Sequence, residues 1–219
     1  MGTSGSTFRT DLLEWAEGNI RSFPWREADA SFYEVFVAEF FLTQTPAENV
    51  ENVYPQFIEL FPSLGAVRRA DRKDLEEAIE PLGFHRMRSE ALVQIASEYD
   101  DLPRDPDELV ELPRVGSYVA NATVCFALER RLPILERNVV RVYRRVFGDR
   151  FSATEREQRE FAREMLPESG VEARRYNLAL LDFGALICEK LDPRCSACFA
   201  TDCCEYYADL HVGGRSDAE

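Results

Sequence analysis

The sequence predicts an all-α protein. Apolar residues recur at intervals of three and four along most of the 219-residue chain, which is the spacing of one face of an α-helix. Proline, glycine and aspartate separate these segments, and no alternating apolar and polar run is long enough to predict a strand. With 45% hydrophobic residues, the chain can bury a substantial core in one or two compact lobes.

Helical periodicity sets the limits of seven segments along the chain. The helix predicted at 50–60 ends before a Phe-Pro pair, and the one at 89–99 follows a Pro-Leu-Gly turn. A proline-rich stretch at 101–107 precedes the helix at 117–128, and Pro133 follows it; proline disfavours helix continuation because it lacks an N–H group. The predicted helices are 8–20, 32–42, 50–60, 89–99, 117–128, 139–147 and 176–187.

Neither end of the chain has the pattern of a targeting or membrane segment. No run approaches the roughly 18 consecutive apolar residues that a membrane-spanning helix needs. Residues 1–7 are small and polar, unlike a signal peptide, so we expect a cytoplasmic protein, acting as a monomer. The tail at 208–219 loses periodicity, contains two adjacent glycines and is expected to fray.

The charge is strongly acidic but unevenly distributed. A net charge of −14 argues against nucleic acid as a partner, and only Lys73 and Lys190 are lysines, a composition typical of proteins from a high-salt, halophilic cytoplasm. Residues 112–150 nevertheless hold eight arginines against three acids, a net +5 that leaves −19 for the remainder. This stripe is either an anion-binding face or a solvated helix surface.

Four cysteines near the C-terminus have the spacing C-x6-C-x2-C-x5-C. Thiolates spaced in this way bind metal centres, and the longer gaps favour a [4Fe–4S] cluster over a zinc ribbon, which usually has two closely spaced pairs. A reducing cytoplasm also favours metal ligation over disulfides. The alternative is four buried or disulfide-bonded cysteines, and Cys203 is an alternative fourth ligand. The predicted ligands are Cys188, Cys195, Cys198 and Cys204.

A Leu-Pro-Arg-Val-Gly turn at 112–116 opens the helix predicted from Ser117. Such a turn directs backbone N–H groups outward at the positive end of a helix, where they can hold a DNA phosphate, often with a bridging monovalent cation. Alone, this pattern is only a turn between two helices. We expect Arg114, Val115 and Gly116 to contact DNA if the turn binds phosphate.

Several motifs in order resemble the helix-hairpin-helix (HhH-GPD) DNA glycosylases with an iron–sulfur cluster, a superfamily that includes endonuclease III, MutY and the Mig-type thymine glycosylases. The resemblance runs from about Leu12 to Cys204 and depends on Pro-Trp-Arg at 24–26, the segment at 38–45, the hairpin and the cysteines. It implies a two-lobed endonuclease III-like fold with a cleft into which the target nucleotide of double-stranded DNA is flipped. One six-helix lobe would cover 29–131, and the cluster lobe would combine 1–28 with 132–207.

The resemblance also implies the chemistry of Tyr118. Bifunctional members have a lysine nucleophile two residues after the hairpin glycine, whereas MutY proteins have serine or tyrosine and Mig-type enzymes have tyrosine. A tyrosine has no amine for a Schiff base, so a monofunctional glycosylase is predicted. The alternative is a tyrosine packed on the inner face of its helix.

Two acidic residues match further catalytic positions of the family. Glu136 stands where the family has the aspartate that stabilises the sugar cation; glutamate keeps the charge but adds a methylene, and glutamate is a poor helix cap. Activity there is either retained or weakened. Glu39 matches the general acid of MutY, and its apolar neighbours are expected to raise its pKa, although it is alternatively a buried partner of an arginine.

Other matched positions are expected to contact DNA. Gln44 corresponds to the glutamine that fills the vacancy left by the flipped nucleotide, and Phe84 and His85 lie where relatives insert a side chain between base steps. Asn138 follows the catalytic carboxylate in the family motif and is also assigned to DNA binding.

Three functions are therefore open. The first is removal of thymine or uracil opposite guanine, the mismatches that deamination of 5-methylcytosine or cytosine leaves. The second is adenine removal of the MutY type, which we rank lower because the chain stops soon after Cys204, without the usual 8-oxoguanine-reading domain. The third is a paralogue that binds mismatched DNA with weakened catalysis, suggested by Glu136.

Overall fold

A computed structural model describes residues 3–151 and 154–212 of the chain. Within these ranges the protein is built from α-helices and short 3-10 turns and contains no strand, so the predicted all-α class is confirmed. No helix in the described part is long and apolar enough to cross a membrane. The helices are α1 (Thr3–Asn19), α2 (Phe32–Leu42), α3 (Ala47–Leu60), α4 (Leu64–Arg69), α5 (Arg72–Ala78), α6 (His85–Glu98), α7 (Pro106–Leu109), α8 (Ser117–Leu128), α9 (Arg137–Phe147), α10 (Glu155–Met165), α11 (Gly170–Leu186) and α12 (Glu205–Val212).

The chain divides into two compact units. Unit A consists of Met1–Arg21 and Glu129–Glu219, and unit B is the continuous segment Ser22–Leu128. Both limits of unit B lie before the positions expected from the sequence, which were 29 and 131.

Unit B is organised around α2. A capping box starts this helix, because the Ser31 hydroxyl accepts a bond from the Glu34 N–H and the Glu34 carboxylate accepts one from the Ser31 N–H. Residues 35–41 are all buried, as expected for a helix that is apolar on every side, and α2 packs along the similarly apolar α8. Trp25 stacks on Phe23 at 4.7 Å beside this core. The central helix of the unit therefore carries Glu39 into its interior.

Unit A has an aromatic core. Phe8 of α1 meets Phe147 of α9 edge-on at 5.4 Å and Phe183 of α11 at 6.4 Å, geometries that aromatic pairs favour. The two buried hydroxyls of Tyr143 and Tyr176 lie 3.1 Å apart. These contacts join α1 to the C-terminal helices, which hold Glu136 and the cysteines.

Sequence periodicity found the apolar helices and missed the polar or short ones. The limits of α2 and α8 agree with the prediction, and α1, α3, α6, α9 and α11 start earlier than predicted. α4, α5, α10 and α12 were not predicted. Because α12 continues to Val212, residues 208–212 are helical where fraying was expected; residues 213–219 lie outside the described residues.

Candidate active site and metal centre

Glu39 and Tyr118 form a hydrogen-bonded pair inside unit B. Glu39 lies on α2 and is 2% exposed, and Tyr118 lies in the first turn of the adjacent α8. The Tyr118 hydroxyl donates to Glu39 Oε2 at 2.6 Å, at the short end of the range for a hydrogen bond between two oxygens. The pair brings an acid and a phenol together at the start of the hairpin's second helix, and it contains no amine.

The left-handed residue of the hairpin turn is an arginine and not the glycine. The residue in the left-handed region is Arg114 (φ 61°), whereas Gly116 has an ordinary φ, and a Cβ there would meet nothing within 4 Å. Neither the backbone conformation nor a close neighbour in the structure therefore requires glycine at this position. Val115 is buried, whereas Arg114 is exposed.

Two loops of unit B present exposed residues on strained backbone. Gln44, just after α2, has φ 61°, and Phe84, just before α6, has φ 51°. Left-handed backbone is disfavoured for residues with a Cβ and is often found at functional positions. Phe84 is 54% exposed, unusual for a phenylalanine, and His85 beside it is half-buried. Arg88, which the sequence had not singled out, contacts both loops.

Glu136 is the N-cap of α9, contrary to the expectation that glutamate caps poorly. Its Oε1 accepts hydrogen bonds from the backbone N–H groups of Asn138 at 2.6 Å and Val139 at 3.0 Å. The side chain satisfies two of the helix's unpaired donors, as a shorter aspartate usually does. Burial raises the pKa of Glu136 more than these bonds and the charge of Arg141 lower it.

Asn138 supports this carboxylate. Its half-buried side chain is hydrogen-bonded to the Glu136 carboxylate. Gly184 of α11 faces Asn138 closely, because a Cβ built there would lie 2.9 Å from the Asn138 Cβ. A glycine at this crossing lets α9 and α11 approach and fixes the start of α9.

Four cysteines of unit A line one small cavity. The cavity is lined by Cys188, Cys195, Cys198 and Cys204 but not by Cys203, whose thiol lies 3.5 Å from the Ala200 carbonyl. None of the six cysteines forms a disulfide in the structure, contrary to the disulfide alternative. Burial raises the pKa of Cys198 to about 11, and the adjacent thiols of the other three lining cysteines add to the rise.

These thiols surround the cavity without converging on one ion. Among residues 3–151 and 154–212, no three histidine, cysteine, aspartate or glutamate side chains are grouped to hold a single metal ion. The four thiolates of a [4Fe–4S] cluster each bind a different iron. Four cysteines that line one cavity are a donor set that would suit such a cluster.

Three of the eight arginines of the basic stripe, Arg131, Arg141 and Arg145, donate hydrogen bonds to backbone carbonyls. Arg141 donates to the carbonyls of Gly184 and Cys188, at 2.7 and 2.9 Å. Arg145 donates to the Glu189 carbonyl at 2.6 Å and to Cys188 Sγ at 3.4 Å. Arg131 likewise binds three carbonyls at the end of α10. These structural roles could not be predicted from the charge pattern, because charge alone does not reveal the acceptor.

The comparisons with known proteins agree in the chemistry they name. A family model described as HhH-GPD superfamily base excision DNA repair protein matches residues 37–168. A thymine/uracil-DNA glycosylase of Pyrobaculum aerophilum is 32% identical over 217 residues, 94% of each chain. An adenine DNA glycosylase of Mycolicibacterium smegmatis is 35% identical over 198 residues, which cover 88% of this chain and 67% of the relative.

A solved structure is similar along almost the whole chain. It is a thermostable thymine-DNA glycosylase with a TM-score of 0.87 and 27% sequence identity. The superposition covers 94% of this chain and 97% of the solved one.

Proposed function

Because the chain belongs to the HhH-GPD superfamily of base excision DNA repair proteins, we propose that it is a monofunctional DNA glycosylase that removes thymine or uracil opposite guanine. The thymine/uracil relative supports this substrate, since its similarity extends over 94% of both chains. The thermostable thymine-DNA glycosylase structure supports it as well. Thymine and uracil opposite guanine are the products of deamination of 5-methylcytosine and cytosine, respectively, so the role would be repair of deaminated bases.

The hydrogen bond from Tyr118 to Glu39 is the observation that carries the monofunctional assignment. A lyase of the Schiff-base kind needs an amine nucleophile, and the side chain at this position is a phenol bonded to a buried carboxyl group. Such a pair can donate a proton or a hydrogen bond to a base, but it cannot form an imine with the sugar. The reaction would therefore end at the abasic site.

In this proposal, one carboxyl group acts on the base and a second acts on the sugar and the attacking water. Glu39, held by Tyr118, protonates or polarises the base while the bond from C1′ to the base nitrogen breaks and its electron pair leaves with the base. Glu136 stabilises the positive charge that develops on the sugar and accepts a proton from the water that attacks C1′. The products are the free base and an abasic sugar with a hydroxyl group at C1′.

The geometry of Glu136 allows both a structural and a catalytic role. Oε1 accepts both backbone bonds of the α9 cap, and we assign Oε2 to the sugar and the water. The added methylene is accommodated because the side chain folds back onto its own helix terminus. A weakened, DNA-binding paralogue stays an alternative, and it predicts binding to a mismatch without an abasic product.

DNA binding would depend on backbone and loop contacts more than on charge. The hairpin turn at 112–116 offers N–H groups at the N-terminus of α8 to a phosphate, with a monovalent cation as a bridging ligand. Gln44 and Phe84 would probe the duplex, with Phe84 as the wedge. A protein of net charge −14 that uses few basic side chains should lose less affinity with salt than a lysine-rich binder.

A [4Fe–4S] cluster held by Cys188, Cys195, Cys198 and Cys204 is part of the proposal. The lining of one cavity by four free thiols supports these ligands, and the position of Cys203 outside it supports Cys204 as the fourth. The cluster would cross-link the C-terminal loop, while base release needs an acid and a water rather than an electron. Arg145 would orient Cys188 through its bond to the sulfur.

Adenine removal is the second candidate, because the adenine glycosylase relative is 35% identical. Both candidates are tested with duplexes that contain a single G:T, G:U, A:G or A:8-oxoguanine pair, followed by alkali to cleave abasic sites. Release of thymine or uracil without borohydride trapping is the expected result. Abasic product only opposite 8-oxoguanine would favour the adenine assignment, and tight binding without product would favour the weakened paralogue.

A further inference from the structure

Arg88 is a buried arginine that lies behind the Gln44 and Phe84 loops. It is 5% exposed, which is rare for arginine, and it extends from the first turns of α6. No sequence motif includes Arg88. In the structure, however, each of its two terminal guanidinium nitrogens forms hydrogen bonds with a different loop.

One guanidinium nitrogen donates hydrogen bonds to the Phe84 loop. Nη1 of Arg88 donates to the carbonyl of Leu82 at 3.2 Å and to that of Gly83 at 3.1 Å. These carbonyls immediately precede Phe84, whose own backbone is left-handed. The charge of Arg88 therefore fixes the peptide groups that aim the Phe84 side chain.

The other terminal nitrogen donates hydrogen bonds to the Gln44 loop. Nη2 of Arg88 donates to the carbonyls of Phe41 and Thr43 at 3.1 and 2.7 Å and to the Thr45 hydroxyl at 2.8 Å. These acceptors lie at the C-terminal end of α2, where a cation is favoured by the helix dipole. They flank Gln44 on both sides.

The two loops are also joined directly. The Thr45 hydroxyl donates to the Leu82 carbonyl at 3.2 Å while it accepts from Arg88. One guanidinium and one hydroxyl thus hold two strained backbones, at Gln44 and Phe84, in a single network. Arginine suits this task because its fork presents donors in a fixed plane and stays charged when buried.

We propose that Arg88 is a positioning residue that couples the Gln44 and Phe84 loops, so that both residues enter the duplex as one unit. This inference rests on the proposed DNA-probing function of those two residues. It predicts that loss of the network impairs extrusion of the target nucleotide more than it impairs the chemistry on a nucleotide already extruded.

The test compares single-turnover base release from two substrates. One is a duplex with a single G:T pair, and the other places the same thymine in a three-nucleotide mismatch bubble, where most of the unstacking cost is already met. Arg88→Met is expected to slow release from the single mismatch by about tenfold to a hundredfold, the scale of a small misplacement, and to slow release from the bubble much less. 2-Aminopurine beside the target reports unstacking on binding, and this signal should fall in the variant.

Two further variants make the outcome decisive. Arg131→Met removes another arginine that binds three carbonyls, in unit A, and should leave the ratio of the two rates unchanged. Thr45→Val deletes only the bridging hydroxyl, and it replaces Arg88→Met in the test if that variant does not fold. Like Arg88→Met, it should slow release from the single mismatch more than release from the bubble.

Equal slowing on both substrates, or an unchanged ratio in both network variants, would overturn the inference. If the wild-type protein releases no base from either substrate, the proposed function fails instead. The 2-aminopurine signal of the wild type and Arg88→Met then still decides whether Arg88 supports unstacking. An equal signal would reject the role.

Discussion

Replacing Glu136 by glutamine is predicted to slow base release without weakening the fold. The carboxamide oxygen can still accept the N–H groups of Asn138 and Val139, so the cap of α9 persists. The negative charge proposed to face the sugar cation is lost. Removal of one preorganised electrostatic group typically slows catalysis by about 10²–10³, which corresponds to about 2.7–4 kcal/mol of transition-state stabilisation.

The same substitution should leave the stability of the protein at pH 7 unchanged or increase it. Burial raises the pKa of Glu136, so the ionised form is disfavoured in the folded state. The stability associated with the protonated form is full below the unfolded pKa of about 4.3 and is lost as pH rises through the higher folded value. Because glutamine does not titrate, the variant should unfold at the wild-type temperature or above it at pH 7, with the difference vanishing on acidification.

Single-turnover rates and thermal unfolding measure the two effects separately. The wild-type rate should fall as Glu136 becomes protonated, at a pH above the usual glutamate range, and the slow rate of the glutamine variant should lack this dependence. Asp71→Asn is the matched control, since the Asp71 carboxylate also accepts the N–H two residues on, at 2.9 Å, and caps α5. A full rate for Glu136→Gln would refute the catalytic assignment. A rate loss explained by unfolding would refute the claim that the variant loses activity without losing stability.

Three other changes have defined outcomes. Tyr118→Phe should lower base release by about tenfold, measured in single-turnover kinetics, because Glu39 loses a 2.6 Å hydrogen bond; an unchanged rate would contradict the pairing. Cys204→Ala should lose iron and its visible absorbance, whereas Cys203→Ala should keep both, and the reverse result would exchange the ligands. Gly184→Ala should destabilise the protein by about 1–3 kcal/mol in denaturant unfolding, because the new methyl lies 2.9 Å from a side chain of α9; no loss would show that the crossing can relax.

Sequence reasoning succeeded where the signal was local. α2 and α8 are apolar helices with clear limits, so their periodicity predicted them directly. α10 has a highly charged sequence, and α4 and α5 are short, so hydrophobic spacing missed them. Their N-caps, Ser63, Asp71 and Thr154, were the signals that would have found them.

The sequence motifs nominated individual candidate residues but not the contacts that these residues make. Ordered motifs identified Glu39, Tyr118 and Glu136, yet their partners depend on packing that spacing does not encode. Arg88 and Arg145 were missed because an arginine whose acceptors are mainly backbone carbonyls has no pattern in the sequence. The cap formed by Glu136 was mispredicted because residue preference describes an average, whereas this side chain folds back onto two N–H groups.

Base release from defined mismatches tests the central claim most directly. The measurement uses the full chain with duplexes that contain one G:T, G:U or A:8-oxoguanine pair, and it quantifies abasic sites and borohydride-trapped complexes. We predict abasic product from G:T and G:U with no trapped complex, because Tyr118 offers no amine. Product only from the A:8-oxoguanine duplex, covalent trapping, or binding with no product from any duplex would contradict the account.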